Sequence, residues 1–156
     1  MSRPLLRSVL VLLASLLTAC STTFDKKWNA AAQGNTKATR WEGRWASGTR
    51  KDTDGSPHGG RLRCVIVPQP DRSLAASFHA NWLCFSGNYD MTFQPAPGGQ
   101  RHGKIQNYKG THDLPKILGG TYSYAATVAG DHLVAHYTCN YDQGTFDLRE
   151  LPPGKK

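Results

Sequence analysis

The chain is poor in carboxylates. Its 156 residues include 11 Asp and Glu against 19 Lys and Arg, which gives a formal net charge of +8. Both glutamates, Glu42 and Glu150, stand apart from every other carboxylate in the sequence. No local motif therefore supplies the paired carboxylates of a glycosidase-like site, and only distant strands could assemble them.

The excess of basic residues would attract anionic surfaces of the cell envelope nonspecifically, such as lipid headgroups, lipopolysaccharide or cell-wall polymer. No basic run is longer than Lys26-Lys27 or Lys155-Lys156, and we predict no nucleic-acid partner. Scattered charge of this kind is also typical of a surface that keeps a protein soluble. Both interpretations stay open from sequence alone.

Catalytic and cofactor motifs are missing as well. The sequence contains no G-x-S-x-G, no P-loop and no HExxH. His132 and His136 would share one face of a helix, but on a strand they lie about 13 Å apart, which is too far for a common ion. The sequence predicts no cofactor and no metal site.

The chain also lacks an apolar run of the length that spans a bilayer. Residues 9–17 are apolar apart from Ser15 and follow Arg3 and Arg7, but this run is shorter than the roughly 20 residues of a transmembrane helix. A basic start before a short apolar core is typical of a secretory signal peptide, which we place at residues 1–19. Its removal would leave 156 − 19 = 137 residues, the size of one domain.

The signal ends in the run Leu17-Thr18-Ala19-Cys20. This run resembles the lipobox of bacterial prolipoproteins. The resemblance implies cleavage before Cys20, attachment of lipid such as palmitate to Cys20, and a membrane-anchored lipoprotein of the cell envelope. In a diderm cell, Ser21 after the cysteine implies the outer membrane, with the protein facing the periplasm.

Cysteine is scarce in the rest of the chain. Once Cys20 carries lipid, only Cys64, Cys84 and Cys139 remain. An odd count leaves at least one free thiol even where the compartment is oxidising. We predict buried, inert thiols on apolar strand faces, with one disulfide bond as the alternative.

The mature chain divides into a tether, a domain and a tail. We assign residues 20–39 to the tether, within which Phe24, Trp28 and Ala31 share one face at helical spacing, as in a short interfacial or docking helix. Residues 40–151 form the domain, because apolar residues there recur with period two between glycine and proline punctuation. Residues 152–156 are predicted to be a disordered tail.

Three hairpins follow from matching the apolar faces of neighbouring strands. The first joins residues 74–84 to 89–93 through Ser86-Gly87, pairing Cys84 with Tyr89. The second turns at Ala129-Gly130, and the third turns at Gln143-Gly144 and places Cys139 and Tyr141 on strand faces. In each, both apolar faces fall on the same side of the sheet, and glycine is the second loop residue, as primed turns prefer.

The predicted fold is all-β: an antiparallel up-and-down meander of about eight strands that closes into a small barrel, with a two-sheet sandwich as the alternative. From Trp41 to Phe146 the chain resembles secreted or lipid-anchored small β-domain proteins without assigned activity. Its layout is similar to lipocalin-like barrels, whose early G-x-W motif is matched loosely by Gly43-Arg44-Trp45. The resemblance implies a small β-domain and no catalytic residue.

Aromatic residues fill the predicted inner face. The candidate ligand-lining side chains are Phe78, Trp82, Tyr122, Tyr124 and Tyr137. An ordinary core would contain such residues, but tyrosine hydroxyls inside a barrel would also orient a small amphipathic ligand.

Two functions remain after these exclusions. The first is a non-enzymatic binding or structural module of the envelope, favoured by the aromatic inner face and the missing catalytic motifs. The alternative is a hydrolase acting on envelope material through His132, His136 and Asp142, which requires these three side chains to converge in one cleft.

Overall fold

The computed structural model describes residues 23–34, 36–82, 85–97, 105–116 and 119–154, without the side chains of Trp82 and Phe85. The signal peptide and Cys20 lie outside this part of the chain. A helix, α1, covers residues 23–32. It is followed by eight strands: β1 (Thr39–Lys51), β2 (Pro57–Pro68), β3 (Leu74–Trp82), β4 (Phe85–Pro95), β5 (Ile105–Asp113), β6 (Thr121–Ala129), β7 (His132–Thr138) and β8 (Gln143–Leu151).

The strands form a closed antiparallel barrel in sequence order, with β8 returning to pair with β1. This confirms the predicted up-and-down barrel over the sandwich. The turns after β1, β3, β5 and β7 lie together at one end, here called the Asp142 end. The opposite end, where β1 begins and β8 finishes, is called the terminal end.

The barrel core follows the period-two pattern of the sequence. Alternate residues of every strand point inward, and the middle of the barrel is filled by side chains with almost no exposed surface: Leu62, Cys64, Phe78, Phe93, Leu133 and Leu148. Burial of large apolar side chains in this layer is the main favourable contribution to folding. Cys64 is a buried free thiol, as predicted.

The predicted first hairpin has the correct faces but the wrong register. Phe78 pairs with Tyr89 and Asn81 with Ser86, so Ser86-Gly87 lies inside β4 and is not the turn. The predicted partner of Tyr89, Cys84, lies outside the described residues. The partner of Tyr89 shifts by six residues, an even number, which leaves every described side chain of the hairpin on its predicted side.

The other two hairpins show the same error. Tyr124 pairs with Tyr137, so the second turn is Gly130-Asp131, and of these two residues only Gly130 has a positive φ. Glycine is thus the first loop residue, as in a type II′ turn. Thr138 pairs with Gln143, so the third turn spans residues 139–142. Cys139 and Tyr141 therefore belong to a turn, where Tyr141 is 56% exposed.

Helix α1 packs on the outer wall of the barrel. Phe24 and Ala31 are buried against Val65 of β2, with Trp28 beside them, which confirms the predicted apolar face. The Arg63 guanidinium lies over the rings of Phe24 and Trp28, at 5.2 and 5.3 Å from their centroids. The segment predicted as a tether therefore contains a docked helix.

The chain after β8 closes against the end of this helix. The amide of Gly154 donates a hydrogen bond to the carbonyl of Ala32 at 3.0 Å, and Arg40 donates to the carbonyl of Pro152 at 3.2 Å. Residues 152–154 of the predicted tail are thus in contact with the domain. No described helix is long and apolar enough to cross a membrane.

Candidate functional site

Four of the five predicted ligand-lining residues belong to one aromatic network inside the barrel. The ring of Phe78 stacks on Tyr89 at 5.0 Å and lies 5.7 Å from Phe146. Phe146 in turn lies 5.4 Å from Tyr137 and 5.7 Å from Tyr124. Tyr122 joins the network through Tyr137 at 5.9 Å. The fifth residue, Trp82, ends β3 at the Asp142 end, and its side chain lies outside the described part of the structure.

The network is closed in the middle of the barrel and accessible at the Asp142 end. Phe78 and Phe93 are fully buried, whereas Trp45, Tyr89 and Tyr122 are only partly buried. The partly buried rings lie where the turns meet. The aromatic rings are therefore partly accessible to solvent at this end.

Asp142 connects several polar groups at the Asp142 end of the barrel, and we call these groups the rim. Its Oδ1 accepts hydrogen bonds from the hydroxyls of Ser47 and Thr49, both at 2.6 Å, and from the amide of Gln143 at 2.8 Å. Its Oδ2 accepts a hydrogen bond from the Tyr137 hydroxyl at 2.9 Å. One carboxylate thus ties the end of β1 to the turn before β8 and to an interior tyrosine.

The surroundings of Asp142 fix its protonation state. Partial burial acts to raise its pKa, but the hydrogen bonds from Ser47, Thr49 and Tyr137 outweigh that effect and hold the pKa below its usual value. The group is therefore a carboxylate at neutral pH, and it accepts hydrogen bonds rather than donating a proton.

The interior tyrosines are held neutral. Burial raises the pKa of Tyr122 to about 12, and its hydrogen bond to the Cys139 thiol contributes to the rise. Burial also raises the pKa of Tyr124 and Tyr137. At physiological pH these phenols are hydroxyl groups, which suits them to hydrogen-bond a polar group rather than to act as bases.

His58 and Asp52 form a polar pair at the same end of the barrel. Nδ1 of His58 lies 2.7 Å from the Asp52 carboxylate, and its ring meets Trp45 edge-on at 5.4 Å. Trp45 donates its indole N–H to the carbonyl of Asn81 at 3.2 Å. These contacts hold the Trp45 ring in place beside the aromatic interior.

The three residues of the hydrolase alternative are not brought together. His132 is at the terminal end of β7 and contacts Asp147 on the outer wall, at 2.8 Å. His136 is exposed on the outer face of the same strand. Asp142 binds Ser47, Thr49 and Tyr137 instead of either histidine, so the convergence that a hydrolytic site requires is not found.

Sequence reasoning missed Ser47 and Thr49 as partners of Asp142, because they lie 95 and 93 residues away from it along the chain. No three His, Cys, Asp or Glu side chains are grouped to hold a metal ion in the described ranges. No protein-family model matches the chain. A search of curated proteins likewise found no significant match.

Proposed function

We propose that this protein is a lipid-anchored binding protein of the cell envelope that holds a small amphiphile against the aromatic rings at the Asp142 end of its barrel. The observation that carries the proposal is the continuous network of aromatic rings. At the Asp142 end these rings are partly exposed and lie beside the hydroxyls of tyrosine, serine and threonine residues. Rings would hold the apolar part of the ligand, and the tyrosine hydroxyls would bond its polar part.

The lipobox-like run before Cys20 supports the anchor. Only Ser21 and Thr22 separate Cys20 from the first described residue of α1, which packs on the barrel wall. Several acyl chains on one cysteine would hold the protein durably, whereas one chain alone binds a membrane only marginally.

Binding is favoured over catalysis by the state of the polar groups. The Asp142 carboxylate is already engaged by Ser47, Thr49 and Tyr137. Cys64 is fully buried, and burial raises the pKa of its thiol, so it is not a reactive thiolate. These groups position the rim instead of attacking a substrate.

Replacing Cys20 with alanine should release the protein from membranes or block its maturation. The reason is that the acyl chains are the proposed attachment and Cys20 their only acceptor. The measurement is membrane fractionation with metabolic labelling by a palmitate analogue, and Cys139→Ala is the matched control. Normal processing and full membrane retention of the Cys20→Ala protein would show that the anchor is not there.

Ligand uptake is tested with dansyl-labelled undecanoate, a single-chain amphiphile whose fluorescence rises in apolar surroundings. We expect saturable binding of one probe per chain. Tyr122→Ala should weaken that binding about tenfold, or about 1.4 kcal/mol, because the partly buried ring and its hydroxyl are both lost. Tyr122→Phe should weaken it by a smaller factor, because the ring remains.

Tyr141→Ala is the matched control, since that ring is exposed in the turn at the same end. Its affinity for the probe should stay within twofold of the wild type. Absence of saturable binding, or equal loss in the Tyr122 and Tyr141 variants, would contradict the proposed site.

A further inference from the structure

Among the described strands, the ladder between β4 and β5 is the shortest, and the ladder between β1 and β2 is longer but has an irregularity between Ala46 and Lys51. Between β4 and β5 the pairing is confined to Gln94↔Lys109 and Pro95↔Tyr108, next to the terminal end. On the other side of each strand the pairing is long: β4 pairs with β3 from Leu74↔Phe93 to Trp82↔Phe85, and β5 pairs with β6 over its whole length. Toward the Asp142 end the ladder pairs stop after Gln94↔Lys109, although Gly110 still lies beside the carbonyl oxygen of Thr92.

Beyond the last ladder pair, side chains make the contacts between β4 and β5. If the ladder continued in register, Met91 would face His112. Instead, Met91 lies over Gly110, where its methyl group fills the space of a missing Cβ, and Tyr89 meets the His112 ring at 5.2 Å. Such contacts between side chains can separate without leaving backbone N–H and C=O groups unpaired, whereas breaking a ladder hydrogen bond leaves both groups without a partner. We define residues 86–91 of β4 and 111–113 of β5 as the seam.

The seam opens directly onto the aromatic network. Tyr89, which belongs to the seam, is partly buried and stacks on the buried Phe78. His112 is also partly buried and lies on the inner face of β5. Movement of the Tyr89–His112 contact would uncover the interior rings from the side of the barrel.

The seam lies on the flank of the barrel that carries α1. Phe24, one residue after the first described residue of α1, stacks on His79 of β3 at 5.2 Å, and Lys27 binds Asp90 of β4 at 3.2 Å. Cys20 precedes Thr23 by three residues, so their Cα atoms are at most about 11 Å apart. The seam lies on the side of β4 that faces β5, about 5 Å, or one strand spacing, beyond the strand that Lys27 contacts.

We infer that the seam is the entrance of the binding site, and that it admits a single-chain amphiphile sideways from the bilayer beside which Cys20 holds the protein. This inference rests on the proposed function. The Tyr89–His112 contact acts as the gate, Met91 packs beneath it, and the apolar chain of the ligand passes between the two strands toward Phe78.

The test locks the seam with a covalent bridge. Thr92 and Thr111 are exposed and would pair if the ladder continued, so both are replaced by cysteine in a chain whose Cys84 and Cys139 are serine. A short bis-maleimide then joins them, while the fully buried Cys64 stays unreactive. Uptake of dansyl-labelled undecanoate is followed by stopped-flow fluorescence.

We expect the bridge to slow uptake at least tenfold, compared with the same chain capped by N-ethylmaleimide. The control is a bridge between Ala125→Cys and His136→Cys, an exposed pair in the full ladder of β6 and β7. It should leave the rate within twofold. His112→Ala, which removes the gate without a crosslink, should accelerate uptake at least threefold.

Two further outcomes separate the claims. Equal uptake rates for bridged and capped chains, with binding intact, would overturn the seam as the entrance and leave the proposed function standing. Absence of binding in the unmodified protein would overturn both. For the source, uptake of probe from vesicles should be faster for the anchored protein than for Cys20→Ala, whereas equal rates would show that the amphiphile comes from solution.

Discussion

Replacing Gly43 with alanine should destabilise the barrel by about 3 kcal/mol or more, a larger effect than one methyl group usually has in a protein. Gly43 pairs with Leu62 of β2 on one side and with Leu148 of β8 on the other, where the barrel closes. A Cβ at this position would overlap the carbonyl oxygen of Asp147. That oxygen is backbone, so the overlap is relieved only by moving β8 away from β1.

The measurement is thermal or urea unfolding of the purified protein, where a loss of this size lowers the thermal midpoint by about 10 °C. Gly55→Ala is the matched control. A Cβ there would meet no atom within 4 Å, and only the positive φ of 82° is unfavourable, which costs about 1 kcal/mol. Equal losses in the two variants would show that β8 does not lie against Gly43.

Replacing Asp142 with alanine should lower the free energy of unfolding by about 3 kcal/mol at pH 7. Three hydroxyls, those of Ser47, Thr49 and Tyr137, lose their acceptor, and each such bond contributes about 1 kcal/mol net. Tyr137 is 5% exposed, so its hydroxyl would have little access to water as a substitute. The measurement is urea unfolding followed by tyrosine and tryptophan fluorescence.

The Asp142 contribution should also depend on pH in a defined direction. Its pKa is held below the usual value in the folded protein. The carboxylate therefore stabilises the fold fully above the unfolded pKa of about 3.9, and this stabilisation is lost as pH falls through the lower folded pKa. The difference in stability between wild type and Asp142→Asn should accordingly be constant near neutrality and shrink below pH of about 4.

The control is Asp147→Asn on the outer wall. Asp147 contacts His132 but its side chain is 68% exposed, and exposed pairs contribute about 0–1 kcal/mol. A loss as large as that of Asp142→Ala, or a difference for Asp142→Asn that grows in acid, would contradict the role assigned to the rim carboxylate.

The faces of the strands could be predicted from sequence, but their register could not. Alternation places Phe78, Tyr124 and Phe146 inward whatever the pairing, because a shift by an even number of residues leaves every side chain on its side of the sheet. The turns had to be assigned by residue preference alone. Gly87 and Gly144 are good turn residues, but both lie inside strands.

Glycine at position 144 has a packing reason instead. A Cβ there would lie 2.6 Å from the Tyr137 hydroxyl and would overlap the carbonyl oxygen of Ala46. The sequence presents such a glycine and a turn glycine identically, since close approach by a distant strand leaves no local signal.

The aromatic residues of the candidate site could be predicted from sequence, but the hydrogen bonds around Asp142 could not. Phe78, Tyr122, Tyr124 and Tyr137 followed from period two. The partners of Asp142 did not, because the barrel has to close before β1 and the last turn become neighbours. The seam depends on pairing between β4 and β5, on which composition and alternation carry no information.

The docking of α1 limits how far the domain could move from the membrane to which we propose that Cys20 anchors it. A flexible tether of 20 residues would give a root-mean-square reach of about 25 Å and let the barrel tumble above the surface. With α1 packed on the wall, only Ser21 and Thr22 lie between the proposed acylated cysteine and the described helix. The domain would then stay at a nearly constant distance from the bilayer surface and meet its partners by diffusion in two dimensions.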